Sequence, residues 1–162
     1  MAQEPKTPTA TIETTHGTMN VEFWPDVAPM HVNNFVELSK KGFYNGLTFH
    51  RIIPDFMIQG GCPQGTGTGS NGSTRVKAEF NRRPDRSHTR GVLSMARSSD
   101  PNSASCQFFI VHKDSPHLNG QYSAFGKVTS GIETIDKIAA VPTDSGDKPK
   151  QPVKNVKITI NE

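Results

Sequence analysis

The chain has 162 residues, the length of one compact domain, since about 100–200 residues per domain is usual. Apolar residues at 33%, charged residues at 20%, 14 glycines and 12 prolines exclude collagen-like and low-complexity chains and point to a turn-rich fold. The net charge of +3 aids solubility without naming a partner, and no apolar run approaches the ~20 residues that a membrane helix needs.

Residues 1–8 form a polar tail, and the first ten lack the apolar stretch of a secretory signal, which predicts a cytoplasmic protein. From Thr9 to residue 162 one domain is expected. Ala10 and Ile12, then Met19, Val21 and Phe23, alternate with polar residues around Thr15-His16-Gly17, the pattern of a β-hairpin with one buried face. Over residues 28–41 the period changes: Ala28, Val32, Phe35 and Val36 make one helical stripe, with Pro29 at the opening and Gly42 at the close. Strand-like runs follow at 47–53, 56–60, 92–96, 107–112 and 124–128. A second helix is expected over 131–140, where Ser130 and Glu133 have the spacing of a capping box and Ile132, Ile135 and Ala139 line one face. Residues 142–152 read as a surface loop, and Val156, Ile158 and Ile160 as a last strand. Eight short strands and two helices predict an all-β domain whose sheet closes into an eight-stranded antiparallel barrel capped by the helices, because closure removes exposed edges.

Most local signatures of chemistry are absent. Cys62 and Cys106 have neither a disulfide framework nor zinc spacing, and the six histidines share no ligand pattern, so no metal is expected. The glycines of 67–72 match G-x-G-x-x-G by letters, but no βαβ unit encloses them, and they read as a turn. Residues 75–97 carry Arg75, Lys77, Arg82, Arg83, Arg86, Arg90 and Arg97 against Glu79 and Asp85. With Phe80 as the only aromatic among them, a solvated face is favoured over a nucleic-acid surface.

The segment FHRIIPDFMIQGG, residues 49–61, is different: two apolar strands around a turn, carrying Arg51 and Gln59 among large hydrophobes. Two registers are open. A Pro54-Asp55 loop sets Arg51 opposite Ile58, whereas a Pro54-Asp55-Phe56 loop sets Arg51 opposite Gln59 and gathers Arg51, Met57 and Gln59 on one face. Gln107-Phe108-Phe109-Ile110-Val111 repeats the idea, with Gln107 and Phe109 on one side and Phe108 and Ile110 on the other. Burying such polar groups is costly unless they find partners. A groove with a guanidinium and amides beside Phe and Met suits an extended peptide.

These blocks, with GVLSMARSSDPNSASCQFFIV and HLNGQYSAFGKV, resemble a cyclophilin, a peptidyl-prolyl cis-trans isomerase, from about Thr9 to Ile160. The resemblance implies a cofactor-free barrel with a proline pocket on its outer surface. It places the catalytic arginine at Arg51, the proline pocket at Phe56, Met57, Phe109 and Leu118, and the glutamines that hold the substrate and position the arginine at Gln59 and Gln107. Gly65 falls on a pocket-rim glycine, and Ala96, Arg97 and Ser98 on the segment whose backbone binds the residues before the proline. His117 stands where many eukaryotic members carry the tryptophan that contacts cyclosporin, which implies weak inhibition by that drug with activity retained. Tyr122 replaces a pocket histidine, and the pair His117 and Tyr122 is similar to bacterial cytosolic members. The partners implied are proline-containing peptides and client proteins, met by a monomer with no membrane or nucleic-acid role. The competing expectation is a non-catalytic peptide-binding module or chaperone using the same groove.

Overall fold

A computed structural model describes residues 9–61, 76–81, 83–97, 106–145, 147–151 and 153–161. Eight strands, β1 (Thr9–Thr14), β2 (Gly17–Phe23), β3 (Arg51–Ile53), β4 (Met57–Gly60), β5 (Val92–Met95), β6 (Phe108–Val111), β7 (Ala124–Ser130) and β8 (Asn155–Asn161), pair antiparallel in one sheet of order β3-β4-β6-β5-β7-β2-β1-β8. Two helices, α1 (Pro29–Lys40) and α2 (Glu133–Ala139), complete the fold. All expected elements are present. The strand expected at 47–53 shortens to three residues, because the chain before Arg51 makes only an isolated bridge at Thr48.

The closed barrel is corrected to an open, curled sheet. β3 and β8, the ends of the strand order, come near each other, but no ladder joins them. The seam is spanned by the Thr48↔Lys154 bridge, by the Phe49 N–H donating to the Val153 carbonyl at 2.8 Å, and by the Ile52 N–H donating to the Asp147 carbonyl at 2.7 Å.

Alternation along the strands builds two apolar layers. On the inner face Ile58, Leu93, Phe108, Ile110 and Phe125 join Phe35 of α1 and Ile135 and Ile138 of α2 in the main core. Phe35 is its hub, with ring centroids 5.0 Å from Tyr44 and 5.3 Å from both Phe108 and Phe125. The outer face carries a smaller cluster of Trp24, Met57, Val92, Phe109, Val111, Leu118 and Ala124.

The helix ends follow the sequence in one case and depart from it in the other. α1 closes at Gly42, whose φ of +75° lets its N–H reach the Ser39 carbonyl and the Phe43 N–H reach that of Leu38. Its first turn is capped from afar: the Met30 and His31 N–H groups donate to the two carboxylate oxygens of Glu79 at 3.2 and 2.8 Å. The expected capping box of α2 does not form. Ser130 ends β7 opposite Asn20 and its hydroxyl accepts from the Asn20 amide at 2.7 Å, so the chain must turn at Gly131, where a Cβ would meet the Thr18 carbonyl.

Candidate active site

The hairpin between β3 and β4 adopts the three-residue loop. Ile53 faces Met57 and Arg51 faces Gln59 across the ladder, so Arg51, Met57 and Gln59 share the outer face. The β4–β6 pairing sets Gln59 opposite Phe109 and brings Gln107 into reach: the Gln59 amide donates to the Gln107 carbonyl oxygen at 3.1 Å. That bond answers the cost of half-burying both amides on a strand surface. Among the described residues no hydrogen bond links either glutamine to the Arg51 guanidinium, and the two amides are instead joined to each other.

A cavity of about 110 Å³ opens here, lined by Arg51, Met57, Gln59, Ala96, Arg97, Phe109 and Tyr122. Its floor is buried, with Met57 2% and Phe109 4% exposed, while Arg51 stands exposed at the rim. Leu118, on a short 3₁₀ turn, belongs to the same outer cluster, with half-buried Phe56 packed against it. The Phe56 ring lies 5.6 Å from that of His117, and Tyr122 meets Phe109 edge-on at 5.6 Å. Arg97 is built into the wall: its Nε donates to the Gln121 carbonyl at 2.9 Å and its guanidinium lies 4.8 Å from the Tyr122 ring and 5.9 Å from that of Phe80. The Ala96 N–H already donates to the Gln107 carbonyl at 3.0 Å and is not offered to a ligand. Of the expected site residues, Gly65 and Ser98 lie outside the described residues, as do Cys62 and the glycines of 67–72.

Behind Phe109 stands a group that sequence reasoning missed. His88, 2% exposed, stacks on the Phe109 ring at 6.2 Å. Burial holds its pKa below 6.5, against the raising effect of a bond to Asn119, and the charge of His117 lowers it further. Asn119 Oδ1 accepts from both the backbone N–H and Nδ1 of His88, at 2.7 and 2.9 Å, which leaves Nε2 to accept from the Ser94 hydroxyl at 2.8 Å. No spacing in the sequence marks His88, Ser94 and Asn119 as a unit; their meeting is a product of the sheet and the 3₁₀ turn.

Several described members of the basic run are engaged within the fold. Arg83 and Arg86 both reach Asp26 at 3.1 Å, Arg86 also lies 4.9 Å from the Trp24 ring, and Arg90 grips Asp136 by two bonds of 2.7 Å.

Residues 9–160 match the family model described as cyclophilin type peptidyl-prolyl cis-trans isomerase/CLD. A Helicobacter pylori peptidyl-prolyl cis-trans isomerase is 49% identical over 82% of this chain and 81% of its own. Bacillus subtilis peptidyl-prolyl cis-trans isomerase B is 54% identical over 69% of this chain and 76% of its own. In structure, a Cryptosporidium parvum cyclophilin type peptidyl-prolyl cis-trans isomerase solved in the presence of the dipeptide Ala-Pro matches with a TM-score of 0.88, 35% identity, and coverage of 95% of this chain and 99% of that one.

Proposed function

The chain belongs to the cyclophilin family of peptidyl-prolyl cis-trans isomerases, and from that premise we propose that the outer-face groove is where it turns the X-Pro bond, with Arg51 as the hydrogen-bond donor. Rotation about an amide must overcome about 18–20 kcal/mol, because resonance gives the C–N bond double-bond character. At X-Pro the two isomers differ by only about 0.5–1 kcal/mol, so the obstacle is kinetic. A catalyst therefore has to favour the twisted bond, whose nitrogen loses resonance and becomes a hydrogen-bond acceptor. The guanidinium of Arg51, always protonated, is such a donor, and it stands at the rim of an apolar floor.

Met57, Phe109, Leu118 and Phe56 grip the proline ring, and the preceding carbonyl swings over the rim. The Gln59–Gln107 pair orders the wall opposite. Discrimination for the transition state comes from the donor, which finds an acceptor only once the nitrogen is twisted. The single observation that carries the reading is the pairing of Arg51 with Gln59 beside Met57 and Phe109 on one face. The Ala-Pro dipeptide in the related crystal structure supports proline peptides as the ligand class. Exchange NMR on an Ala-Pro-containing peptide tests it: catalysed cis-trans exchange is expected, with amide shifts in the protein centred on β4, β6 and Ala96. Binding without faster exchange would leave a peptide-holding module instead.

A further inference from the structure

The turn that carries Phe56 rests on an unfavourable backbone. Asp55 has a φ of 62°, a left-handed conformation that a non-glycine residue adopts only at a cost. His112, the residue after β6, holds that turn at two points. Its N–H donates to the Phe56 carbonyl at 2.8 Å, and its ring Nδ1 accepts from the Asp55 N–H at 2.8 Å. Its other ring nitrogen, Nε2, lies 2.9 Å from Asp136 Oδ1 of α2, the carboxylate that Arg90 grips from the far side. Since the Asp55 amide can only donate, Nδ1 must be bare, and the ring proton sits on Nε2, directed at Asp136. A chain of polar contacts thus runs from Arg90 through Asp136 and His112 to the turn beside the groove.

We propose that His112 is a positioning residue of the isomerase: it fixes the 54–56 turn so that Phe56 stays against the proline pocket, and thereby sets substrate affinity and not the rate of bond rotation. The inference rests on the reading of Phe56 as a pocket residue.

Two substitutions separate the ring's halves. His112→Asn places an amide oxygen near the position of Nδ1 and keeps the Asp55 contact while giving up Asp136. His112→Gln reaches toward Asp136 and leaves the Asp55 N–H without its acceptor. In the full chain, with an X-Pro peptide followed by exchange NMR at pH 8, the Gln variant is expected to raise KM about two- to ten-fold, the worth of one hydrogen bond, with kcat little changed. The Asn variant keeps the wild-type KM. Equal KM values for the two variants overturn the proposal, since a merely structural ring would lower the melting temperature of both and leave KM alone. Phe56→Ala is the control: if it leaves KM unchanged, the pocket reading itself fails and this inference with it. If it raises KM while both His112 variants match wild type, only the role of His112 is lost. Should the Gln variant fail to fold, the Asn variant decides: a KM above that of wild type contradicts the proposal.

Discussion

Gln59 faces Arg51 across the β3–β4 ladder yet spends its amide on Gln107, 3.1 Å away on the far side. The pair is a brace within the groove wall, and its removal should affect turnover more than stability. Gln107→Leu takes the acceptor from the Gln59 amide, with about 1 kcal/mol at stake for a half-buried hydrogen bond. The expected outcome is a fall in kcat/KM of roughly five-fold with a melting temperature lowered by only a few degrees. Unchanged kcat/KM would remove the glutamines from the account.

Asn119 holds His88 under Phe109 by accepting from both its backbone N–H and its ring. Asn119→Ala leaves two donors without that partner in a site that excludes water, which costs about 1–3 kcal/mol. Urea unfolding measures this directly. Because the ring stacks on the pocket floor, peptide affinity should fall as well; a destabilised variant with unaltered affinity would mean that His88 supports the core alone.

Acid should weaken the fold first through its buried histidines. Burial lowers the pKa of His31, His50 and His88 below 6.5, in His31 against the raising effect of Glu79, and in His50 with help from Arg51 and Lys148. Each binds its proton less readily folded than unfolded, so its contribution is complete above pH 6.5 and is lost as pH falls from there toward the lowered folded value. A second loss follows below the ordinary carboxylate range, where Asp136, held down to about 2 chiefly by its bonds from Arg90, takes its proton. His50 is 6% exposed and, among the described residues, neither ring nitrogen has a hydrogen-bond partner. His50→Leu is therefore expected to match or exceed wild-type stability at neutral pH and to flatten the decline below pH 6.5. Loss of stability at neutral pH would show that the ring is satisfied by water.

His117 is exposed beside the Phe56 ring, at the position to which the family resemblance assigns the cyclosporin-contacting tryptophan of many eukaryotic members. An imidazole offers less apolar face and no indole N–H, so inhibition should need much more drug than a tryptophan-bearing cyclophilin does in a side-by-side isomerase assay. Equal inhibition would show that the contact is made elsewhere.

The strands and helices were legible because their periods are clean: Phe108 and Ile110 fall inside the sheet and Phe109 outside, as alternation requires. The register of the 51–59 hairpin was open in sequence, since one residue more or less in the turn reverses every face; the left-handed Asp55 decides it. Strand content carries no information on whether the two edges of a sheet pair, and here only isolated contacts of Thr48, Phe49 and Ile52 with Lys154, Val153 and Asp147 span the seam. Ser130 looked like a cap by spacing, but it lies in the ladder opposite Asn20, and tertiary pairing took precedence. His88, His112 and Asn119 went unmarked for the same reason: each gains its role from a partner 20 or more positions away.

The central claim is that Arg51 supplies the hydrogen bond that the twisted prolyl nitrogen accepts, and Arg51→Ala tests it in an exchange NMR assay on an X-Pro peptide. The side chain is exposed, so the fold and peptide affinity should persist. The account predicts a catalysed exchange rate lower by at least ~10-fold, the effect of about 1.4 kcal/mol in the barrier. A variant that binds peptide and turns it over at the wild-type rate would contradict it.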